Sequence, residues 1–210
     1  MKINFIFYLL LFNVGFSQIN EVNKRHSFNA TFLDNPPKVD GNVLSDPIWE
    51  SIPYIDEMIQ SKPSFGFKAS ERTVIRVAFT NSNLYVSAIC YDSDPDNLVI
   101  SDSRRDSSLS DDDSFLFILD TYNDQQNGFL FGTNSSAMEY DAQIDNEGNG
   151  NRSVSRQQGG VIGGTNLNWD ASWDVKSEKG DYGWSAEFAI PLKSLRFNIG
   201  KNQTWGINFQ

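Results

Sequence analysis

Ser110-Asp111-Asp112-Asp113-Ser114-Phe115-Leu116-Phe117-Ile118-Leu119-Asp120 is the stretch on which the fold class turns. Three consecutive carboxylates run into an uninterrupted apolar run, and a further Asp closes it. A run this apolar, rich in Phe and Ile and bounded by turn-forming residues, predicts a β-strand buried on both faces. Its acids then stand at the end of a sheet, where neighbouring carboxylates repel unless water, a cation or a donor offsets them. Two readings stay open at this point: a solvated turn that keeps an apolar strand soluble, or a rim of oxygens for a divalent cation or a polar ligand.

Working outward, similar segments recur between turn signals. Residues 73–80 alternate Val74, Arg76, Ala78 against Ile75, Val77, Phe79, and Asn81-Ser82-Asn83 turns them into residues 84–91, a hairpin. Residues 92–97 form a second acidic loop containing Asp92 and Asp94. Downstream, residues 123–128 turn into a strand over 129–134, and 138–144 alternate as an edge strand. Residues 145–167 carry six glycines and read as a loop or hairpin tip. Strands over 169–176, 182–190 and 203–209 follow, with a helical turn at 191–195. Towards the N-terminus, residues 28–33 predict a first strand, and Asp40-Gly41 is a turn signal. Ser45-Asp46-Pro47-Ile48-Trp49-Glu50 reads as a capped helical turn, Pro47 opening it and Trp49 plugging the end of a sheet. Eight or nine short strands with one or two helical turns predict an all-β, jelly-roll-like antiparallel β-sandwich.

Residues 1–17 have the form of an export signal: Lys2, an apolar run over 5–12, then Gly15 and Ser17 at the cleavage site. That run is shorter than the ~20 residues a spanning helix needs, so no membrane insertion is expected of this segment. Residues 18–27 read as a flexible leader and 28–210 as one domain. The chain stops mid-strand at Trp205-Gly206-Ile207-Asn208-Phe209-Gln210, which suggests a fragment of a longer protein. With 210 residues, a net charge of −10 and a pI of about 4.5, the chain is a poor partner for nucleic acid or anionic membrane.

Catalytic chemistry finds little footing. His26 is the only histidine and lies in the leader, which removes a Ser-His-Asp triad or His-ligated zinc from the domain. Cys90 is the only cysteine, so no internal disulfide forms, and its strand-like setting predicts a buried small hydrophobe. Gly159-Gly160 and Gly163-Gly164 precede no helix and make no phosphate cradle. Glu187 shares a strand face with Ser185 and Ala189; an inward Glu187 predicts a structural salt bridge to Arg72, Arg76 or Arg196 rather than a general acid.

Five linked stretches resemble family 9 carbohydrate-binding domains. Val39-Asp40-Gly41 through Trp49 is similar to that family's "hDGxLDExxW" opening, and residues 72–91 to its "RTxVRVxYDxxxLYV" hairpin. Asp112-Asp113-Ser114-Phe115 through Asp120 resembles "DDSVEIFID". Gly183-Trp184 through Pro191, then Leu195-Arg196-Phe197, resembles "GWxxExxIPxxxLRF", with Trp205-Gly206 following. The resemblance implies a β-sandwich, carbohydrate as partner, and bound calcium (Ca2+) at Asp92, Asp112 and Ser114 with Asp94 and Asp113 adjacent. It also implies exposed aromatics for a sugar, for which Tyr122, Trp169 and Trp173 are the candidates; Trp49, Glu187, Arg76 and Arg196 are structural candidates. Of the family's two sugar-clamping tryptophans one falls on Ser110 and the other at or beyond the end of this sequence, while its strand Glu falls on Leu116 and its neighbouring Arg near Gly132.

The similar N-terminal domains of large exported proteins from Bacteroidetes-type bacteria precede a β-rich segment resembling an outer-membrane barrel. That implies a downstream barrel segment as partner and a periplasmic or cell-surface location in a Gram-negative bacterium. The expected role is non-catalytic, in carbohydrate breakdown or uptake. The alternatives are a structural or interaction domain capping the barrel, and an accessory module of a hydrolase acting on O-glycosyl bonds.

Overall fold

A computed structural model of the chain describes residues 26–148, 161–162, 164–200 and 202–210. The expected signal 1–17, and residues 18–25 of the leader, lie outside them. The sandwich proper comprises Ala30–Met58 and Ala69–Gln210. A second, small unit includes Ile59–Lys68; within it Ile59 bridges Lys68, and Gln60 N–H donates to Phe67 O at 2.7 Å.

Among the described residues, two six-stranded sheets form the sandwich. In the first, β1 (Thr31–Phe32), β3 (Thr73–Phe79), β4 (Asn83–Tyr91), β11 (Gly183–Pro191) and β10 (Asp174–Gly180) lie in that order, with β2 (Tyr54–Ile55) also paired to β3. In the second the order is β12 (Gly206–Phe209), β5 (Ser114–Asp120), β6 (Gly128–Asn134), β7 (Tyr140–Ile144), β9 (Thr165–Asn166) and β8 (Val161–Ile162). All pairings are antiparallel except β1 with β3, which is parallel. The all-β sandwich read from the sequence is the observed fold. β7 is no edge strand, because β9 pairs with its free side.

Between the sheets lies an aromatic core. Phe115 and Phe117 of β5, Phe131 of β6, Trp173, and Trp184 and Phe188 of β11 are all buried. Trp173 and Phe188 stack with ring planes 3° apart at 5.7 Å, and Phe117 meets Phe188 edge-on at 5.1 Å. Aromatic pairs of this geometry add about 0.5–1.5 kcal/mol beyond the area they bury.

β5 is not buried on both faces. Phe115, Phe117 and Leu119 are buried, while Ser114, Leu116 and Ile118 between them are only half-buried. Two-faced burial belongs instead to β4 and β11, whose interiors are buried residue after residue. The reason is a second core on the outer face of the first sheet. Val74, Ala78, Tyr85, Ile89 and Ala189 point outward there, and Val43, Trp49 and Ile52 of the preceding chain cover them. The covering segment carries the helical turn α1 (Pro47–Glu50), which Asp46 caps by accepting from Ile48 N–H at 3.0 Å. Trp49, 1% exposed, therefore seals a sheet face rather than a sheet end.

One carboxylate holds that cover down. Glu187 is fully buried at the middle of β11, with Ser87 between it and Arg76 in the cross-strand register. No arginine pairs with it among the described residues. Its Oε1 accepts from Trp49 Nε1 at 2.6 Å, and its Oε2 accepts from Asp40 N at 2.8 Å and Gly41 N at 2.7 Å. The expected salt bridge is thus replaced by one indole and two backbone donors. Gly41 adopts φ +93°, and a Cβ there would stand 2.6 Å from the Ser177 carbonyl carbon. That turn has room for glycine alone. Ser185 Oγ closes it by donating to Gly41 O at 2.6 Å.

Candidate functional site

The acidic loop that follows β4 and the acidic segment that precedes β5 meet at one end of the sandwich, and their carboxylates fold the loops themselves. Asp92 Oδ1 accepts from Asp94 N at 2.7 Å, and both Asp94 oxygens accept from Asn97 Nδ2. Asp113 Oδ2 accepts from Val99 N at 2.6 Å. Asp112 spans two elements, taking Ser101 N at 2.7 Å on Oδ1 and Asn134 Nδ2 at 2.8 Å on Oδ2. Burial pushes the Asp112 carboxyl up, but the donors from Asn134 and Ser101 outweigh it and hold the group below its ordinary value. Ser114 Oγ donates to Leu109 O at 3.3 Å. Among the described residues, no three His, Cys, Asp or Glu side chains gather as a metal-ligating group. The carboxylates expected to bind calcium are thus engaged with N–H groups, and Ser114 with a carbonyl.

The loop from Ser101 to Asp111 continues over the ends of β6 and β7. Arg105 is its anchor: Nη2 reaches Asp141 Oδ1 and Asp170 Oδ1, both at 2.7 Å, and Nη1 pairs with Glu139. Asp141 is 1% exposed at its side chain, and its second oxygen accepts Ala171 N at 2.8 Å. Burial raises the Asp141 carboxyl, partly offset by Ala171 N–H, the Trp173 indole and Arg105. The Arg105–Asp141–Ala171 chain ties the 101–111 loop to the segment that follows β9. Between them opens a cleft of about 580 Å³ walled by Ser101, Asp102, Ser107, Ser108, Asp111 and Asn168. Its surface combines hydroxyl, carboxylate and amide groups with the Arg104 guanidinium and the Leu167 side chain, donors, acceptors and an apolar contact that can pair with polyhydroxylated ligands. Asp102 is held well below the carboxylate range by the guanidinium and N–H of Arg104.

Of the positions that the family resemblance gives to sugar-gripping side chains, the two on β5 and β6 carry no polar side chain and the third is a serine. Leu116 of β5 stands opposite Gly132 of β6. A Cβ at Gly132 would meet Leu116 Cγ at 2.9 Å and Leu109 Cδ1 at 3.0 Å, so two leucines cover the spot. Ser110, in the tryptophan's place, lies 2.9 Å from Ser108 through the two hydroxyl oxygens.

The three candidate aromatics do not form one platform. Trp173 is 5% exposed and belongs to the core. Trp169 packs on Phe129 and Phe131 at ring separations of 5.0 and 6.0 Å. Tyr122 is exposed but follows the far end of β5 from the cleft. Arg196 is exposed and contributes a backbone oxygen, which accepts from Thr121 Oγ1. Arg105, the residue that organises the cleft, gave no sequence signal beyond its place in a polar loop.

No protein-family model matches the chain, and no curated protein does. Among solved structures the fold is clear. A family 9 carbohydrate-binding module from Caldicellulosiruptor kristjanssonii in complex with glucose is 18% identical, covers 86% of this chain and 74% of its own, and has a TM-score of 0.55. The same organism's family 9 module in complex with cellotriose gives 19%, 86%, 75% and 0.54. A candidate carbohydrate-binding protein from Bacteroides uniformis gives 14%, 86%, 80% and 0.56. The chain therefore has the family 9 carbohydrate-binding fold.

Proposed function

We propose that the chain is a non-catalytic carbohydrate-binding module whose sugar site is the cleft between the 101–111 loop and Asn168. The observation that carries the reading is the cleft itself, a concave surface of mixed polar and apolar lining beside Arg105 at the end of a sheet. Support comes from the fold, which is shared with modules seen in complex with glucose and with cellotriose. With Leu116 and Gly132 in place of charged side chains, specificity would rest on the cleft's hydroxyls and carboxylates. Calorimetric titration with glucose and cellotriose, alongside retardation in polysaccharide gels, tests this. Asp111→Ala and Ser108→Ala should weaken binding at least about tenfold, the loss of one or two hydrogen bonds to a polar ligand. No binding in any gel or across a glycan array overturns it. Export to the periplasm or cell surface, and service to polysaccharide breakdown or uptake, belong to the same proposal.

Calcium is a separate proposal within this reading. A cation at Asp92, Asp112 and Ser114, with Asp94 and Asp113 adjacent, would have to exchange for the N–H groups that now hold those carboxylates, using their remaining oxygens and backbone carbonyls. A melting temperature higher in calcium than in chelator supports it. Equal melting temperatures remove it.

A further inference from the structure

The first sheet bears its own concave feature, a groove of about 170 Å³ on the outer face. Arg76 stands mid-strand in β3 opposite Tyr54 of β2, and Arg72 precedes β3, its carbonyl accepting Tyr91 N–H at 2.9 Å. The Arg76 and Arg72 guanidinium carbons lie 5.6 and 5.7 Å from the Tyr54 ring centre, and Arg72 is also 5.7 Å from that of Tyr91. The two cations are unequally served. Arg72 directs Nε and Nη2 onto Asp56 Oδ2 at 3.1 and 2.8 Å. Arg76 has no ion-pair partner among the described residues, and its Nε is buried without a hydrogen bond. Burial, joined by the charge of Arg72, pushes its guanidinium pKa down against the pull of Tyr91, Tyr54 and Glu50. A partly buried cation with an unused donor is costly, and a planar fork of N–H groups matches a carboxylate. In a chain carrying net charge −10, an unpaired arginine in a groove is the exception.

We propose that this groove binds the carboxylate of an acidic sugar, a uronate, with Arg76 pairing its oxygens and the exposed Tyr54 contacting the ring. The inference deepens the carbohydrate reading and rests on it. Beside the two arginines the groove offers the exposed Leu44 as an apolar contact, which suits the less polar face of a pyranose, and Glu50 on its rim.

Calorimetric titrations at low salt with sodium glucuronate, glucose and N-acetylglutamate test it on the whole chain. Glucuronate should bind, and Arg76→Gln should weaken it at least about tenfold. Arg76→Lys should not restore it, because a point charge lacks the fork, and Tyr54→Ala should weaken it independently. Glucose should be unaffected by Arg76→Gln. No glucuronate binding, or binding indifferent to both Arg76→Gln and Tyr54→Ala, overturns the proposal. So does N-acetylglutamate binding as tightly as glucuronate, since the site would then read a carboxylate and not a sugar. Retardation in neutral polysaccharide gels reports on the cleft alone, so its failure and the failure of glucuronate binding are separate results. Tyr54→Ala, which removes a largely exposed ring, keeps the test open should Arg76 variants fold poorly.

Discussion

Trp49 and Glu187, 138 positions apart in the chain, meet through an indole N–H donated to a carboxylate oxygen at 2.6 Å. The other oxygen takes Asp40 N–H and Gly41 N–H, so one side chain satisfies three donors and joins the covering segment to the sheet. Glu187→Gln keeps the shape but turns an NH2 group onto donors. Each donor left buried and unpaired costs about 1–3 kcal/mol, so a clear drop in the urea midpoint is expected. Trp49→Phe should also destabilise, and the double variant should lose less than the sum of the two, with a coupling of about 0.5–3 kcal/mol. Additive losses would show that the two residues do not act together.

The same carboxylate sets a pH signature. Burial raises the Glu187 pKa, and the donors from Trp49, Gly41 and Asp40 only partly offset it. The folded state thus holds this proton more tightly than the unfolded chain, for which 4.5 is the ordinary value. The stability it confers is fully present below that value and is lost as pH rises through the folded pKa. Urea unfolding of the protein and of Glu187→Gln at a series of pH values should show the difference between them changing against the carboxylate above 4.5. A pH-independent difference would contradict the assignment.

Gly41→Ala should be among the most damaging single-atom additions. At φ +93° an L side chain is strained by about 1–2 kcal/mol, and the added carbon would collide with the Ser177 backbone at 2.6 Å. A melting temperature lowered by several degrees is the expected outcome, with the loss of near-UV signal from Trp49 as the local reporter.

Cys90 should be silent until the protein unfolds. Burial pushes its thiol up to about 12, with Thr73 opposing only in part. A thiol reagent near pH ~8 should label it slowly in buffer and at once in urea, because the thiolate is the nucleophile. Rapid native labelling would mean that β4 opens locally.

The strands were legible because turn chemistry and alternation fix them locally, and the hairpin of β3 and β4 appears where its pattern placed it. What escaped was anything set by long-range cover. The run from Phe115 to Leu119 looks two-faced because apolar composition cannot tell a core face from a half-exposed one. β4 and β11 carry Ser87, Ser185 and Glu187 on the face that is in fact wrapped. Glu187 was flagged as a buried acid in need of a partner. Its partners are not readable in the sequence: the Asp40 and Gly41 N–H groups leave no mark in the residue letters, and the Trp49 indole stands 138 positions away. The cleft was half readable: the loop's polarity is plain, but Arg105's grip on Asp141 and Asp170 joins positions 36 and 65 residues away.

The wrapped outer face also dictates an order of events. Residues 40–49 leave the ribosome early, yet the carboxylate that receives them lies at 187 and its strand must first find β4. Until then Val43, Trp49 and Ile52 have only Val74, Ala78, Tyr85 and Ile89 of the β3–β4 hairpin to settle on, and no carboxylate to fasten them. Contacts of such separation are paid for late and slow the folding of β proteins. The beginning of this domain therefore locks down only after β11 has paired with β4, and a nascent chain shorter than β11 leaves Val43, Trp49 and Ile52 without the carboxylate that fastens them.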